Sequence, residues 1–452
     1  MKMTVVCPRP QRAVSMRETL EPVARERKVS MPGEILSATR PRHSGQSVSL
    51  SGRDGAELDH VEIVARAIET RGAVDSIAAP ERVPRFPVAM VGSWPRPPEV
   101  LAALGERRAL RLTRPAFERV ANEAIRELIF LQERVGVDIV TDGELRRDDF
   151  VSFIADKVGG IQVMTPRMSE GINHPSCVGR LERREALAVE ELRFVRTCTR
   201  RSVKVALPGP YLLTRSMFVP GLSRGVYDTD EELAADIVQL LRDELRDLAR
   251  EGAGFVQFDE PGLAELVFAQ GRKLTFTHAA SLIRPDPGEE LEFAASLLNR
   301  VVDGVAGVRT GVHVCRGNWS KNESVLLSGT YRPLAAYLER VRVHQLVLEY
   351  ATHRAGDLVT FSGKELGLGV VNPRADRIEA PAEIRRAVEH ALRMYPPGSL
   401  FLNPDCGFSA FAERPLIAQH RAVAKLQAIV EAARQLRARV MPIRTHLLSG
   451  AG

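Results

Sequence analysis

Aromatic residues, cysteines and any excess of one charge are all scarce in this chain of 452 residues, and each shortage closes a class of function. Phe, Trp and Tyr together make up 5%, too few for the stacking platforms on which nucleic-acid bases lie. The 63 Lys and Arg face 57 Asp and Glu, a net charge of +6. They are interspersed, so there is no electrostatic footprint for nucleic acid or for an anionic membrane surface. Five scattered cysteines are not a disulfide framework, which makes the reducing cytoplasm the expected compartment. No apolar run approaches the roughly 18 residues of a membrane span, and the amino terminus lacks the apolar segment of a secretory signal. Neither GxGxxG nor GxxxxGK[ST] follows the first apolar run, which leaves a doubly wound nucleotide-binding sheet, the runner-up architecture, without support.

What is present falls into three parts. Residues 1–85 lack sustained apolar periodicity, and Arg, Ser, Pro and Gly dominate the first 55, the composition of a mostly disordered extension. One stretch within it, 56–72, has helical spacing. Glu18, Glu21 and Glu26 argue against a transit peptide there. Residues 86–440 read as one domain, and 441–452 as a tail.

Within the domain, short Val-, Ile- and Leu-rich runs alternate with long amphipathic segments, the pattern of repeated βα units. The runs are PVAMVGSW, VDIVTDGE, VKVALPGP, GFVQFDEP, TGVHVCRGN, QLVLEYA, LGLGVVNPR and LFLNPDCGF. Helical patterns include 117–136, 230–252, 381–396 and 418–440. Eight alternating pairs predict a (β/α)8 TIM barrel.

Such a barrel carries its chemistry at the carboxyl ends of its strands. The fifth run places His313 and Cys315 two residues apart, on one face of a strand with period two. An imidazole and a thiolate suit zinc, which takes three or four N and S ligands. Glu349 ends the sixth strand and Cys406 follows the eighth, so both would converge on the same rim. A buried thiol acting as a small apolar side chain is the alternative for Cys315 and Cys406, and suffices for Cys7, Cys177 and Cys198.

The strings VGSWPRP, VDIVTDGELRRDDF, LPGPYLLTRSMF, VQFDEPGLAE, VHVCRGN, LVLEYA, LGLGVVNPR and LNPDCGF, in this order, resemble the catalytic barrel of the cobalamin-independent methionine synthase family from about residue 88 to 439. The resemblance implies a zinc-dependent methyltransferase that converts homocysteine to methionine, with His313, Cys315, Glu349 and Cys406 as metal ligands. It implies that Val91, Gly92 and Ser93 meet the acceptor's carboxylate, and that Glu144 and Asp259 meet its ammonium group. Glu265 matches a folate-contacting carboxylate. Asp259 and Arg374 become the catalytic candidates, Arg374 standing where the family carries a proton-donating His.

The departures concern the methyl donor. The longer family members have an amino-terminal barrel where this chain has residues 1–85. Ser216 stands in place of the aromatic that stacks on the pterin, Ser176 in place of a folate-contacting Arg, and a guanidinium at 374 is a poor general acid. These changes favour a methylcorrinoid over methyltetrahydrofolate as the donor. A longer connection, NWSKNESVLLSGTYRP, separates Cys315 from Glu349 and is a candidate pocket lid. An alternative within the superfamily, resembling the epoxyalkane:coenzyme M transferases, alkylates another small thiol. Glu144 and Asp259 argue against it, because coenzyme M carries a sulfonate and no ammonium.

Overall fold

Each of the eight apolar runs contributes to one ring of parallel strands in the computed structural model, which describes residues 83–164, 174–269, 283–322 and 325–440. The expected extension (but for its last three residues), the 56–72 helix, Cys7 and the 441–452 tail lie outside the described residues. Seven strands form a parallel sheet in the order β1 (Ile139–Val140), β4 (Ser202–Pro208), β5 (Phe255–Asp259), β6 (Arg309–Val314), β7 (Gln345–Leu348), β8 (Glu365–Val371) and β9 (Leu400–Pro404). The first run closes the ring, Val88 bridging Leu402 on one side and Ala89 bridging Ile139 on the other. Main-chain hydrogen bonds from Ala89 to Leu402 (3.0 Å), from Leu402 to Pro87 (2.8 Å) and from Asp138 to Val88 (2.9 Å) sew this seam.

A parallel strand in a barrel is covered on both faces, which is why these runs are nearly continuous in apolar residues rather than alternating. Every residue of β4, β5, β6, β7 and β9 is buried. The helices cover the outside, each with one apolar stripe. On Asp230–Arg250 that stripe is Leu233, Ile237, Leu241, Leu245 and Leu248, spaced three and four apart. The Thr229 hydroxyl accepts from the Glu232 N–H, and Asp230, Glu231 and Glu232 fill the first turn, where carboxylates favour the helix dipole. Arg114–Val135 carries Pro115 in its first turn and ends at Gly136, whose φ of +101° takes the left-handed C-cap.

One element was not legible in advance. β2 (Val158–Met164) and β3 (His174–Arg183) form an antiparallel hairpin between β1 and β4. Two adjacent glycines interrupt the apolar pattern of β2, and the reason is a bulge. Gly160 has a φ of +82°, and a Cβ there would lie 2.3 Å from the Arg180 carbonyl.

Candidate active site

The ladders of β6, β7 and β9 stop at Val314, Leu348 and Pro404, and Cys315, Glu349 and Cys406 follow within two residues of those ends. Ligand atoms of His313, Cys315 and Cys406 lie within 4.8 Å of one another, all buried. The two sulfurs are 3.6 Å apart, well beyond a disulfide bond of about 2.05 Å. His313 Nδ1 faces the Val347 carbonyl at 3.1 Å and so carries the proton, leaving Nε2 as the lone-pair nitrogen. That Nε2 is buried with no hydrogen-bond partner. Burial holds the imidazole neutral, its pKa lowered to about 4. It pushes the Cys315 thiol well up, and Cys406 adds to this. At Cys406 the hydrogen bond with Cys315 acts downward, but burial and the Glu349 charge outweigh it and the thiol is raised. Two thiols that resist ionisation beside an orphaned imidazole nitrogen form a soft donor set that a divalent cation would satisfy, and the residues fit zinc.

Glu349 is adjacent to this trio without belonging to it. One carboxylate oxygen accepts from the Arg316 N–H at 2.8 Å, and the other faces Arg354 at 3.4 Å. Tyr331, from the long connection after Cys315, ties the two strand ends together. Its hydroxyl donates to the Val314 carbonyl (3.1 Å) and accepts from the Glu349 N–H (3.0 Å). Asp405 accepts from the N–H groups of Tyr350 and Ala351, both at 2.9 Å, and fixes the loop after Glu349.

The trio opens into a cavity that Val91, Ser93, Glu144 and Asp259 also line. Gly92 is not itself a lining residue, but its lack of a side chain makes room there, since a Cβ would stand 2.2 Å from Glu144 Oε1. Glu144 reaches the cavity through an unusual turn in which Gly143 and Glu144 both have positive φ, +68° and +55°. For a non-glycine residue this is strained, and several bonds hold it. Asp142 accepts from the Glu144 N–H at 2.9 Å, and Arg96 donates to the Glu144 carbonyl at 2.8 Å. Arg96 also donates to the carbonyls of Arg147 and Ser409, so one buried guanidinium bolts three rim loops together. Burial raises the pKa of Glu144, and its Oε2 has no partner. Asp259 is raised to about 8 by burial and by Glu144. An incoming cation would relieve both carboxylates.

Other candidates lie elsewhere. Ser216 is buried in Pro210–Met217 with its hydroxyl on the Leu213 carbonyl. Glu265 is buried on Pro261–Phe268 and does not line the cavity. Arg374 does not line it either. Its guanidinium donates to the Ser320 (2.6 Å) and Lys321 (3.0 Å) carbonyls, which pins the loop carrying Trp319. Ser176 is buried on the hairpin.

Sequence reasoning missed an aromatic wall and a buried cation. Trp319, from the connection proposed as a lid, lines the cavity with Phe150, and Phe411 meets both rings edge-on at 5.8 and 6.0 Å. Lys204, inside the barrel on β4, is hydrogen-bonded to the Met90 carbonyl and to Gln257. A lysine in an otherwise apolar strand, VKVALP, was the available signal for the second.

Residues 86–435 match the family model described as the catalytic domain of cobalamin-independent synthase. The methionine synthase of Thermococcus kodakarensis is 32% identical over 339 residues, covering 74% of this chain and 89% of that protein. That of Pyrococcus abyssi is 32% identical over 354 residues, covering 77% and 93%. The fold is shared with a B12-independent methionine synthase from Shewanella sp. W3-18-1 solved with selenomethionine, at a TM-score of 0.62 and 22% identity over 79% of this chain and 99% of that one. Among the described residues no helix is long and apolar enough to cross a membrane. The eight-stranded ring with its His, Cys and Cys rim is thus the catalytic barrel of a known enzyme family, and this chain belongs to the cobalamin-independent synthases.

Proposed function

We propose that the protein is a zinc-dependent methyltransferase that transfers a methyl group to the sulfur of homocysteine, giving methionine. The carrying observation is the convergence of His313, Cys315 and Cys406 on the cavity that Glu144 and Asp259 line. These three residues would hold the zinc with Glu349 beside them, and the ion supplies the positive charge that keeps the acceptor's thiol deprotonated at neutral pH. The activity named for the archaeal relatives supports the same reading.

The chain's own residues do the positioning. Asp259 and Glu144 take the α-ammonium group between two carboxylates, and the 91–93 turn faces the α-carboxylate. Holding the acceptor at both ends aims its sulfur at the trio and makes the transfer effectively intramolecular. Phe150 and Trp319 form an apolar side that excludes water from the reacting sulfur and suits a thioether product. Glu349, held by Arg316 and Arg354, is available as a further ligand. A sulfonate thiol such as coenzyme M would meet repulsion from the two carboxylates, which disfavours the alternative alkyl transfer.

For the donor we favour a methylcorrinoid over free methyltetrahydrofolate. Ser216 presents no aromatic face, and Arg374 is engaged with two carbonyls rather than poised to protonate a leaving amine. The test gives zinc-loaded protein and homocysteine each donor in turn and measures methionine formed per active site. Methionine from neither donor sinks the activity, and faster turnover with folate sinks the donor assignment.

A further inference from the structure

Lys204 is an expensive residue to place inside a barrel. It is almost fully buried, and burying an ammonium group disfavours its charge. Its Nζ donates to the Met90 carbonyl at 2.8 Å and to Gln257 Oε1 at 2.9 Å, and it lies over the Phe255 ring at 4.6 Å. Gln257 Nε2 in turn donates to Asp259 Oδ1 at 2.8 Å. Gln257 and Asp259 are two apart on β5 and point to one side of the strand.

The structure shows one orientation of the Gln257 amide, and the charged form of Lys204 requires it. A lysine ammonium has donors only, so the atom of Gln257 facing it must be the amide oxygen. The amide nitrogen is then forced toward Asp259. A carboxylate met by that N–H has one oxygen occupied, and the other is left for a ligand. Without Lys204 the amide could rotate and present its oxygen to Asp259, two acceptors in opposition.

We infer that Lys204 and Gln257 are positioning residues that make the acceptor site selective for an α-ammonium group, by fixing which oxygen of Asp259 faces the cavity. This rests on the reading of Asp259 as the ammonium contact. Neither residue touches the acceptor or supplies a metal ligand. Their effect is therefore on discrimination between acceptors, not on zinc content.

The experiment is calorimetric titration of zinc-loaded protein with homocysteine and with 4-mercaptobutyrate, the same thiol acid lacking the amino group, which needs no methyl donor. Wild type should bind homocysteine about a hundredfold more tightly, as expected for a charge-assisted contact in a desolvated site. In Lys204→Met and in Gln257→Glu that preference should fall by about tenfold or more. Zinc content and the affinity for 4-mercaptobutyrate should stay within about twofold of wild type. Gln257→Glu keeps a partner for Lys204, so it guards against a simple failure to fold. A preference unchanged in both variants overturns the inference while leaving Asp259 as the contact. No preference in wild type overturns the ammonium reading and the inference with it. Loss of zinc from both variants assigns the pair to holding the core and likewise overturns it.

Discussion

On the acceptor side of the cavity, Ser93, Glu144 and Asp259 follow or end the first run, β1 and β5, the last separated from β1 by β4, and hydrogen bonds with Arg96, Asp142 and Gln257 hold the loops or side chains in place. On the side assigned to the donor, Ser216, Glu265 and Arg374 are set back from the cavity, and Trp319 and Phe150 form the wall instead. Asp259 and the first run are placed by strand register, which a ring of parallel strands dictates almost residue by residue, and Glu144 by a turn that Asp142 and Arg96 lock directly after β1. The second group depends on loops and short helices, where one side-chain contact redirects a residue. An acceptor site of this kind should be sensitive to single substitutions, and the donor side tolerant of them.

The largest effect should come from the metal trio. Cys406→Ser replaces a thiolate donor with a hydroxyl, and zinc affinity should fall roughly a hundred- to thousandfold, with activity falling alongside. Equal zinc in both proteins by metal analysis would remove Cys406 from the site. Next, Asp259→Asn keeps the shape but loses the charge. The KM for homocysteine should rise about a hundredfold with a smaller change in kcat, the signature of lost uniform binding. If kcat falls instead, Asp259 acts in the transfer step and the comparison must be redrawn.

A third substitution undermines the acceptor side from behind. Glu191 pairs with Arg147 at 2.7 Å, and Arg147 also donates to the Ala206 carbonyl at 2.7 Å and, through its N–H, to the Glu144 carbonyl at 3.0 Å. Burial opposes ionisation of Glu191, but Arg147 and then Lys157 overcome it and pull its pKa down to about 2. A carboxylate lowered in the folded state stabilises above its unfolded pKa near 4.5, and the contribution disappears as pH falls through 2. Glu191→Gln should therefore lose roughly 3 kcal/mol of unfolding free energy at neutral pH. Chemical denaturation of both proteins should show that gap narrowing as pH falls from 4.5 toward 2. A gap independent of pH would mean that packing, not charge, is what was removed.

The smallest effect is expected on the donor side. Arg374→Met frees the loop of Trp319, and indole fluorescence should shift while the homocysteine KM changes less than about threefold. A large rise in that KM would mean that the two sides are coupled through this loop.

The legible part of the molecule follows the same division. All eight strand runs take their places in the ring, and the helices at 114–135, 230–250, 381–391 and 419–440 match their amphipathic patterns to within a few residues, or five at the frayed end of the third. His313 and Cys315 share the cavity because a strand period of two is a geometric certainty once the strand exists. Cys406 joins them because the eighth strand ends near the fifth in a closed barrel. Glu349 follows the end of β7 at the same rim, beside Cys315 and held by Arg316 and Arg354. The β2–β3 hairpin was hidden because its bulge needs glycines that erase the strand pattern. Tyr331 and Arg96 were invisible for another reason. Their roles depend on hydrogen bonds to main-chain groups far away in sequence, and no periodicity records those.

The seam of the ring sets a timetable. The segment that closes the barrel, residues 87–90, is made before any of the strands, yet its partner Leu402 comes almost at the end of the catalytic chain. At about 5–20 residues per second, translation leaves the first strand waiting roughly 15 to 60 seconds for its neighbour. During that interval Val91 and Ser93 have no fixed place and Cys406 does not yet exist. A chain released early therefore carries His313 and Cys315 on an open sheet with two unpaired edges. In the cell, the finished ring and a competent metal site should appear together, and incomplete chains should be targets for chaperones rather than slow versions of the enzyme.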